Sequence, residues 1–246
     1  RRAFVRDRLD LQPSDSVLSV GTGPGFEAKG LAEAVGEGGR VVGVDASPAM
    51  LAAARERCAG LPQASFEEGA AAALPVEDGA FDRAAAVQVY EYVEDVDAAL
   101  AELRRALAPG GRAVVFDSDW DSLAFGVEDE GRSRRVLRAY DAHCPHPRIA
   151  RWLRPAMERA GFDVVEVSPF THVETTPGGV GSELARVVGD FVAARADGVG
   201  DAGVDADGEA RVDAAEVDAW LGDLDARAEA GEFFFSFSQY AFVAEA

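Results

Sequence analysis

The chain has 246 residues, with 44 acidic side chains against 24 basic ones, a formal net charge of −20. Hydrophobic residues make up 48%, enough to bury a full core as one large domain or two small ones. No apolar run approaches the roughly 18 residues of a membrane span, and no basic patch offers itself to a phosphate backbone. Cys58 and Cys144 are too few for a disulfide scaffold.

No charged-then-apolar leader is visible, so a cytoplasmic location is expected. The charge itself has two readings, a basic partner or a salty solvent. At about 1 M salt the Debye length is roughly 3 Å, and self-repulsion nearly vanishes. Lys29 is the sole lysine, so the other 23 basic residues are arginine, and the acids are spread along the chain. A lysine-poor acidic surface of this kind favours adaptation to salt, that is, a halophilic source.

In the first half, strands alternate with helices. Ser16 to Gly21 is a short apolar run ending in glycine, a buried-strand signal. A helix is predicted over 27–35, closed by the glycines at 36, 38 and 39. Arg40 to Asp45 is the second strand. Ser47 and Pro48 then supply an N-cap and a first helical position for a helix to about Cys58. Ala64 to Gly69 and Phe81 to Gln88 are the third and fourth strands. Asp95 caps a helix whose Val96, Leu100, Leu103 and Leu107 share one face. Pro109-Gly110-Gly111 is expected to end it before a fifth strand over Arg112 to Asp117. The alternation implies a parallel sheet covered on both faces.

The second half is less regular. Residues 118–146 read as irregular and acidic. One or two short helices over 147–160 should break near Pro155. A sixth strand spans Asp163 to Pro169, and amphipathic helices are marked by Val180 to Val192 and by Val217 to Leu224. Between those helices lies a Gly/Asp-rich stretch, and Phe233 to Val243 is an aromatic final strand. Without a clear linker, a single domain over 1–246 is expected, with cap insertions at about 118–160 and 171–231.

The sharpest motif is Gly21-Thr22-Gly23-Pro24-Gly25, between the first strand and a helix, with Asp45 ending the second strand 20 residues after Gly25. A carboxylate there can accept both hydroxyls of a ribose. The dinucleotide fingerprint G-x-G-x-x-G needs glycine at position 26, which is Phe26. The spacing G-x-G-x-G is instead the form seen in enzymes that use S-adenosylmethionine (SAM). A plain tight turn is the bland alternative.

With these residues the chain resembles the class I SAM-dependent methyltransferases, in the branch of the ubiquinone/menaquinone C-methyltransferases (methyltransferase type 11). The resemblance covers residues 14–117, through VLSVGTGPG, VVGVDASPAMLAAAR, LPVEDGAFD and VQVYEYVEDVDAALAELRRALAPGG, and returns in GEFFFSFSQYAFVA. It implies an α/β, Rossmann-like seven-stranded sheet, mostly parallel with an antiparallel last strand, helices on both faces and a small helical cap. It also implies SAM as cofactor. Ser19, Gly21, Thr22, Gly23 and Gly25 would line it, Asp45 would hold its ribose, and Ala46, Met50, Ala70 and Ala71 would border the adenine. Gln88 and Val89 would lie beneath the methionyl group. Ser19 and Ala70 stand where the family usually carries acids, which keeps a degenerate, non-catalytic SAM-binding domain as the alternative. Glu67 or Glu68 would serve instead if the alignment shifts by a few residues.

Methyl transfer mainly needs a nucleophile held in line, with a general base only if the nucleophile arrives protonated. Candidate catalytic groups are His143 and Tyr90. Candidate substrate contacts are Tyr90, Glu91, Asp119, Trp120 and His143, whereas Tyr92 reads as helix packing. His143, Cys144 and His146 invite a zinc reading, but no second cluster completes four ligands. Asp205, Asp207, Glu209, Asp213 and Glu216 have calcium-loop spacing, but Ala210 stands where the loop needs glycine. No metal is therefore expected. Two cysteines also count against arsenite methylation. The expected activity is methyl transfer to a small-molecule acceptor, with no nucleic-acid partner.

Overall fold

The computed structural model of the chain describes residues 2–197 and 212–246. It contains two compact units. Among the described residues, the first comprises 2–118, 148–170 and 239–246, and the second 119–147, 171–197 and 212–238.

The first unit is built on strands β1 (Ser16–Val20), β2 (Arg40–Asp45), β3 (Ala64–Glu68), β4 (Phe81–Val87) and β5 (Leu107–Ser118), which pair in parallel in the order β3-β2-β1-β4-β5. Residues 239–245 of β8 (Phe235–Glu245) add to β5 antiparallel, and β7 (Asp163–Glu174) pairs with β8. Adjacent residues of each strand enter opposite cores because side chains alternate across a sheet. Leu18, Val42, Ala84, Val115 and Phe242 join one cluster, while Val17, Val41, Ala85, Val114 and Val243 join the other. Helices α4 (Val96–Ala106) and α6 (Leu153–Arg159) cover the first face. Helices α1 (Arg2–Leu9) and α2 (Phe26–Val35) cover the second.

Local chemistry sets several boundaries. Ser47 Oγ accepts the Met50 N–H, and Pro48 opens helix α3 (Pro48–Arg57). Asp95 accepts the Ala98 N–H at 2.9 Å to start α4. Tertiary contacts set others. The Pro109-Gly110-Gly111 segment, expected as a turn, lies inside β5, because Gly110 N–H donates to Ala246 and Ala246 N–H returns to Gly111. Pro155 does not break a helix. It falls in the first turn of α6, where its missing N–H has no intrahelical partner to lose.

The second unit corrects the expectation that 118–146 is irregular. It holds β6 (Ala124–Phe125), which pairs with residues 235–236 of β8, and helix α5 (Glu130–Tyr140). The sheet therefore has eight strands rather than seven among the described residues. Asp129 caps α5 at Arg132 N–H, and Ser133, Val136 and Tyr140 form its buried stripe. Helices α7 (Val180–Asp197) and α8 (Ala214–Glu229) complete the unit. Trp220 of α8 is fully buried, and its indole N–H donates to Ser133 Oγ at 3.1 Å.

Candidate functional site

The glycine loop leaves β1 at the point where neighbouring connections diverge, with β2 on one side and β4 on the other. Ligands of open α/β sheets bind at such a point, beyond the carboxyl ends of the strands. Gly21, Gly23 and Gly25 have φ of 57°, 53° and 81°, a left-handed path that side chains rarely tolerate. Two of them also face close neighbours. A Cβ on Gly21 would lie 2.5 Å from Val89 Cγ2, and one on Gly25 would lie 2.8 Å from Ala54 Cα. Above Gly23 there is open space, with nothing within 4 Å of a Cβ.

Asp45 ends β2 and ties itself to this loop. Its Oδ2 accepts Gly23 N–H at 2.8 Å, and its Oδ1 accepts Ser47 N–H at 2.9 Å. A carboxylate offers about four lone-pair sites, so both oxygens keep one acceptor position for ligand hydroxyls. Thr22 N–H donates to Val44 O, and Ser19 Oγ–H donates to Thr22 Oγ1 at 3.2 Å. Ser19 and Thr22 are thus both buried beneath the loop. From the other side, Arg57 donates to the Pro24 carbonyl and lies over the Phe26 ring at 3.6 Å.

A cavity of about 210 Å³ opens here, lined by Ser19, Gly21, Thr22, Gly23, Val87 and Gln88, with Arg2 and Glu27 as its charged members. Gln88 has φ 55°, uncommon for a side chain other than glycine. Its N–H donates to Phe116 O at 2.7 Å and its Nε2 to Ser118 Oγ at 3.3 Å. The open space over Gly23, the left-handed glycines and the paired Asp45 form a cradle that fits the amino-acid and ribose parts of SAM. Ala46 and Met50 are exposed just past β2. Gly69 N–H donates to Asp45 O, bringing Ala70 and Ala71 beside that strand end. The side chains of Glu67 and Glu68 are exposed on β3.

Tyr90 and Glu91 require correction as substrate contacts. Both are fully buried, and Tyr90 belongs to the core with Leu100 and Leu103. Burial and the neighbouring Asp117 push the Tyr90 hydroxyl far above its ordinary pKa, so it stays protonated. Tyr92, expected to pack, is half exposed. Asp117 is fully buried at the end of β5 and accepts the N–H groups of Tyr90 and Glu91. Burial first, and the Glu91 carboxylate second, hold Asp117 well above the usual carboxylate range.

The acidic run after β5 is divided between the units. Asp117 and Ser118 belong to the first unit, and Asp119 to Asp121 to the second. There Asp119 is buried and Trp120 packs on Tyr140, His143 and Phe237, with the His143 ring centroid at 4.6 Å. His143 stacks on Tyr140 at 4.1 Å, and its Nδ1 lies 2.7 Å from Tyr140 O. Burial lowers the His143 pKa, so its imidazole is neutral at pH 7.

Among the described residues, no group of three or more His, Cys, Asp or Glu side chains can hold a metal ion, and no helix is long and apolar enough to cross a membrane. Asp205, Asp207 and Glu209 lie outside the described residues. Of the same motif, Asp213 caps α8 at Glu216 N–H, while Glu216 pairs with Arg135.

A family profile described as a methyltransferase domain matches residues 18–115. A demethylmenaquinone methyltransferase of Bacillus cereus is 34% identical over 181 residues, covering 66% of this chain and 76% of that protein. An uncharacterized 37.1 kDa protein in transposon TN4556 of Streptomyces fradiae is 41% identical over 177 residues, covering 70% of this chain and 50% of that protein. The chain spans about half to three-fifths of the length of several such relatives. In fold it is similar to a SAM-dependent methyltransferase from Aquifex aeolicus, with a TM-score of 0.54 at 23% identity over 68% of this chain and 81% of that one.

Proposed function

Because the chain belongs to the class I SAM-dependent methyltransferases, we propose that it transfers a methyl group from SAM to a small molecule, an aromatic or quinone-type ring. The observation that carries this reading is the pairing of three left-handed glycines with Asp45 at the carboxyl edge of the sheet. When bound, SAM supplies a methyl group already activated on a sulfonium. The protein then has to position and desolvate, and well-ordered positioning supplies about 7–11 kcal/mol of barrier reduction.

In this reading Gly21, Thr22, Gly23 and Gly25 present backbone to the cofactor, and Ser19 supports the loop from below. Asp45 takes the ribose hydroxyls. Ala46, Met50, Ala70 and Ala71 border the adenine, and Gln88 and Val89 lie under the methionyl part. The neutral His143 accepts the proton released by a protonated acceptor. The acceptor class is supported by the name of the Bacillus cereus relative and by the aromatic group of Trp120, Tyr140, His143 and Phe237. Asp119, beside Trp120, remains in the proposed acceptor region.

The reading extends to the setting. A net charge of −20 with one lysine supports a cytoplasm rich in salt. Incubation with methyl-labelled SAM and a naphthoquinol lacking its ring methyl tests the activity. Label in the extracted quinol is expected. Binding of SAM without transfer to any aromatic acceptor would overturn the acceptor class, and no SAM binding at all would overturn the whole reading.

A further inference from the structure

Strand β4 stops just short of the cavity. Its last residue, Val87, pairs with Phe116 of β5, and Gln88 then turns the chain with a φ of 55°. A residue other than glycine is strained in that conformation and keeps it only where its surroundings impose it.

The end of β5 imposes it residue by residue. Phe116 O accepts the Gln88 N–H at 2.7 Å, and Ser118 Oγ accepts from Gln88 Nε2 at 3.3 Å. Between these two, Asp117 reaches past Gln88. Its Oδ2 accepts the Tyr90 N–H at 3.3 Å and its Oδ1 the Glu91 N–H at 3.4 Å. Asp117 is fully buried, so the salt reading given to the surface acids does not account for it. A buried acid is costly unless its oxygens find donors. The donors that Asp117 finds are backbone groups beyond the end of β4.

The turn held in this way meets the cofactor site at two points. Gln88 lines the cavity beside Ser19, Gly21 and Gly23. Val89 closes on Gly21, where a Cβ would lie 2.5 Å from Val89 Cγ2. Tyr90 enters the core with Leu100 and Leu103. We propose that Asp117 is a positioning residue of the cofactor site, which, by holding the N–H groups of Tyr90 and Glu91, keeps Gln88 left-handed in the cavity wall and Val89 against Gly21. It acts through those two residues and not by touching the ligand. The inference rests on the SAM reading of the loop and deepens it. Without this hold, Gln88 would relax toward an ordinary negative φ, carrying its side chain and Val89 away from the glycine loop.

The test is calorimetry with S-adenosylhomocysteine on the parent chain, on Gln88→Asn, on Asp117→Asn and on the double variant. In Asp117→Asn the amide keeps one acceptor oxygen and sets a donor against the other N–H, so affinity should fall about tenfold. Asparagine enters the left-handed region more readily than glutamine. In the Gln88→Asn background the same change at 117 should therefore cost about threefold or less. Equal losses in the two backgrounds would overturn the proposal, since a purely structural role is indifferent to the residue at 88. Hydrogen exchange gives a second readout. In Asp117→Asn the amides of Val89, Tyr90 and Glu91 should exchange faster while those of Leu18 and Val42 stay unchanged, and faster exchange throughout the sheet would mark lost stability alone and overturn the positioning role. If Asp117→Asn does not fold, the parent chain decides. Adding S-adenosylhomocysteine should slow exchange at Val89, Tyr90 and Glu91, and binding without any slowing there would overturn the link from Asp117 to the cofactor. Failure of the parent chain to bind would overturn the SAM reading and the proposal together.

Discussion

Val89 closes directly on Gly21, so that a Cβ at position 21 would come within 2.5 Å of Val89 Cγ2. The contact joins the loop after β1 to the turn after β4, and that turn is anchored by Asp117 through the N–H groups of Tyr90 and Glu91. Gly21→Ala meets both a positive φ and this contact. Backbone strain and overpacking together should destabilise the protein by about 2–4 kcal/mol. A thermal melt checks the loss, and an unchanged midpoint would show that Val89 yields freely.

Asp45 holds Gly23 and Ser47 through its two oxygens. Asp45→Ala should weaken SAM about ten- to hundredfold, because charge-assisted bonds are lost both to the ribose and to the loop. Calorimetry measures this directly. Affinity equal to that of the parent chain would remove Asp45 from the ribose site.

Asp117 carries a distinct pH signature. Its carboxyl keeps a proton in the folded protein above its ordinary value, while the unfolded chain gives that proton up from about pH 4. The folded state then binds more protons than the unfolded one, so this group's contribution to stability falls as pH rises from there. Glu91→Gln removes one of the two causes of the raised value. The difference in melting temperature, variant minus parent, should therefore grow with pH. A pH-independent difference would show that Glu91 is not repelling Asp117.

His143 is shifted the other way, its pKa lowered by burial. As proton acceptor it would give a rate profile with an acid limb centred below about pH 6.5. His143→Gln should abolish that limb and lower kcat more than the KM for SAM. Retention of the limb in the variant would assign it to another group.

The salt reading predicts a melting temperature that rises between about 0.1 and about 2 M KCl, because added ions screen the self-repulsion of a chain at −20. A flat or falling curve would return the charge to the search for a basic partner.

Where a signal is local, the sequence was readable. Ser47 before Pro48 and Asp95 before an apolar stripe mark helix starts that the structure contains, because an N-cap acts within a few residues of itself. Gly21, Gly23, Gly25 and Asp45 were likewise visible, since close backbone approach restricts residue type. Helix α1 carries no cap signal and α5 hides its stripe among arginines and acids, so both escaped pattern reading. The Pro-Gly-Gly segment reads as a turn until Ala246 pairs with it. Glu27 offered a faint signal, an acid just past the glycine loop. Arg2 offered none, because only the fold brings α1 to the cavity. Tyr90 and Glu91 misled for the same reason, since a position after a strand does not say whether the side chain turns outward or into the core.

Strand β8 serves both units, its residues 235–236 pairing with β6 and its residues 239–245 with β5. These pairings join segments separated by more than a hundred residues, the kind of long-range closure that slows folding. During synthesis β1 to β5 are made first, and the outer side of β5 stays a bare hydrogen-bonding edge until 235–245 emerge. An uncovered edge of this sort is a template for pairing with another chain. The emergence of one late strand therefore sets the length of the interval in which the nascent protein is open to aggregation.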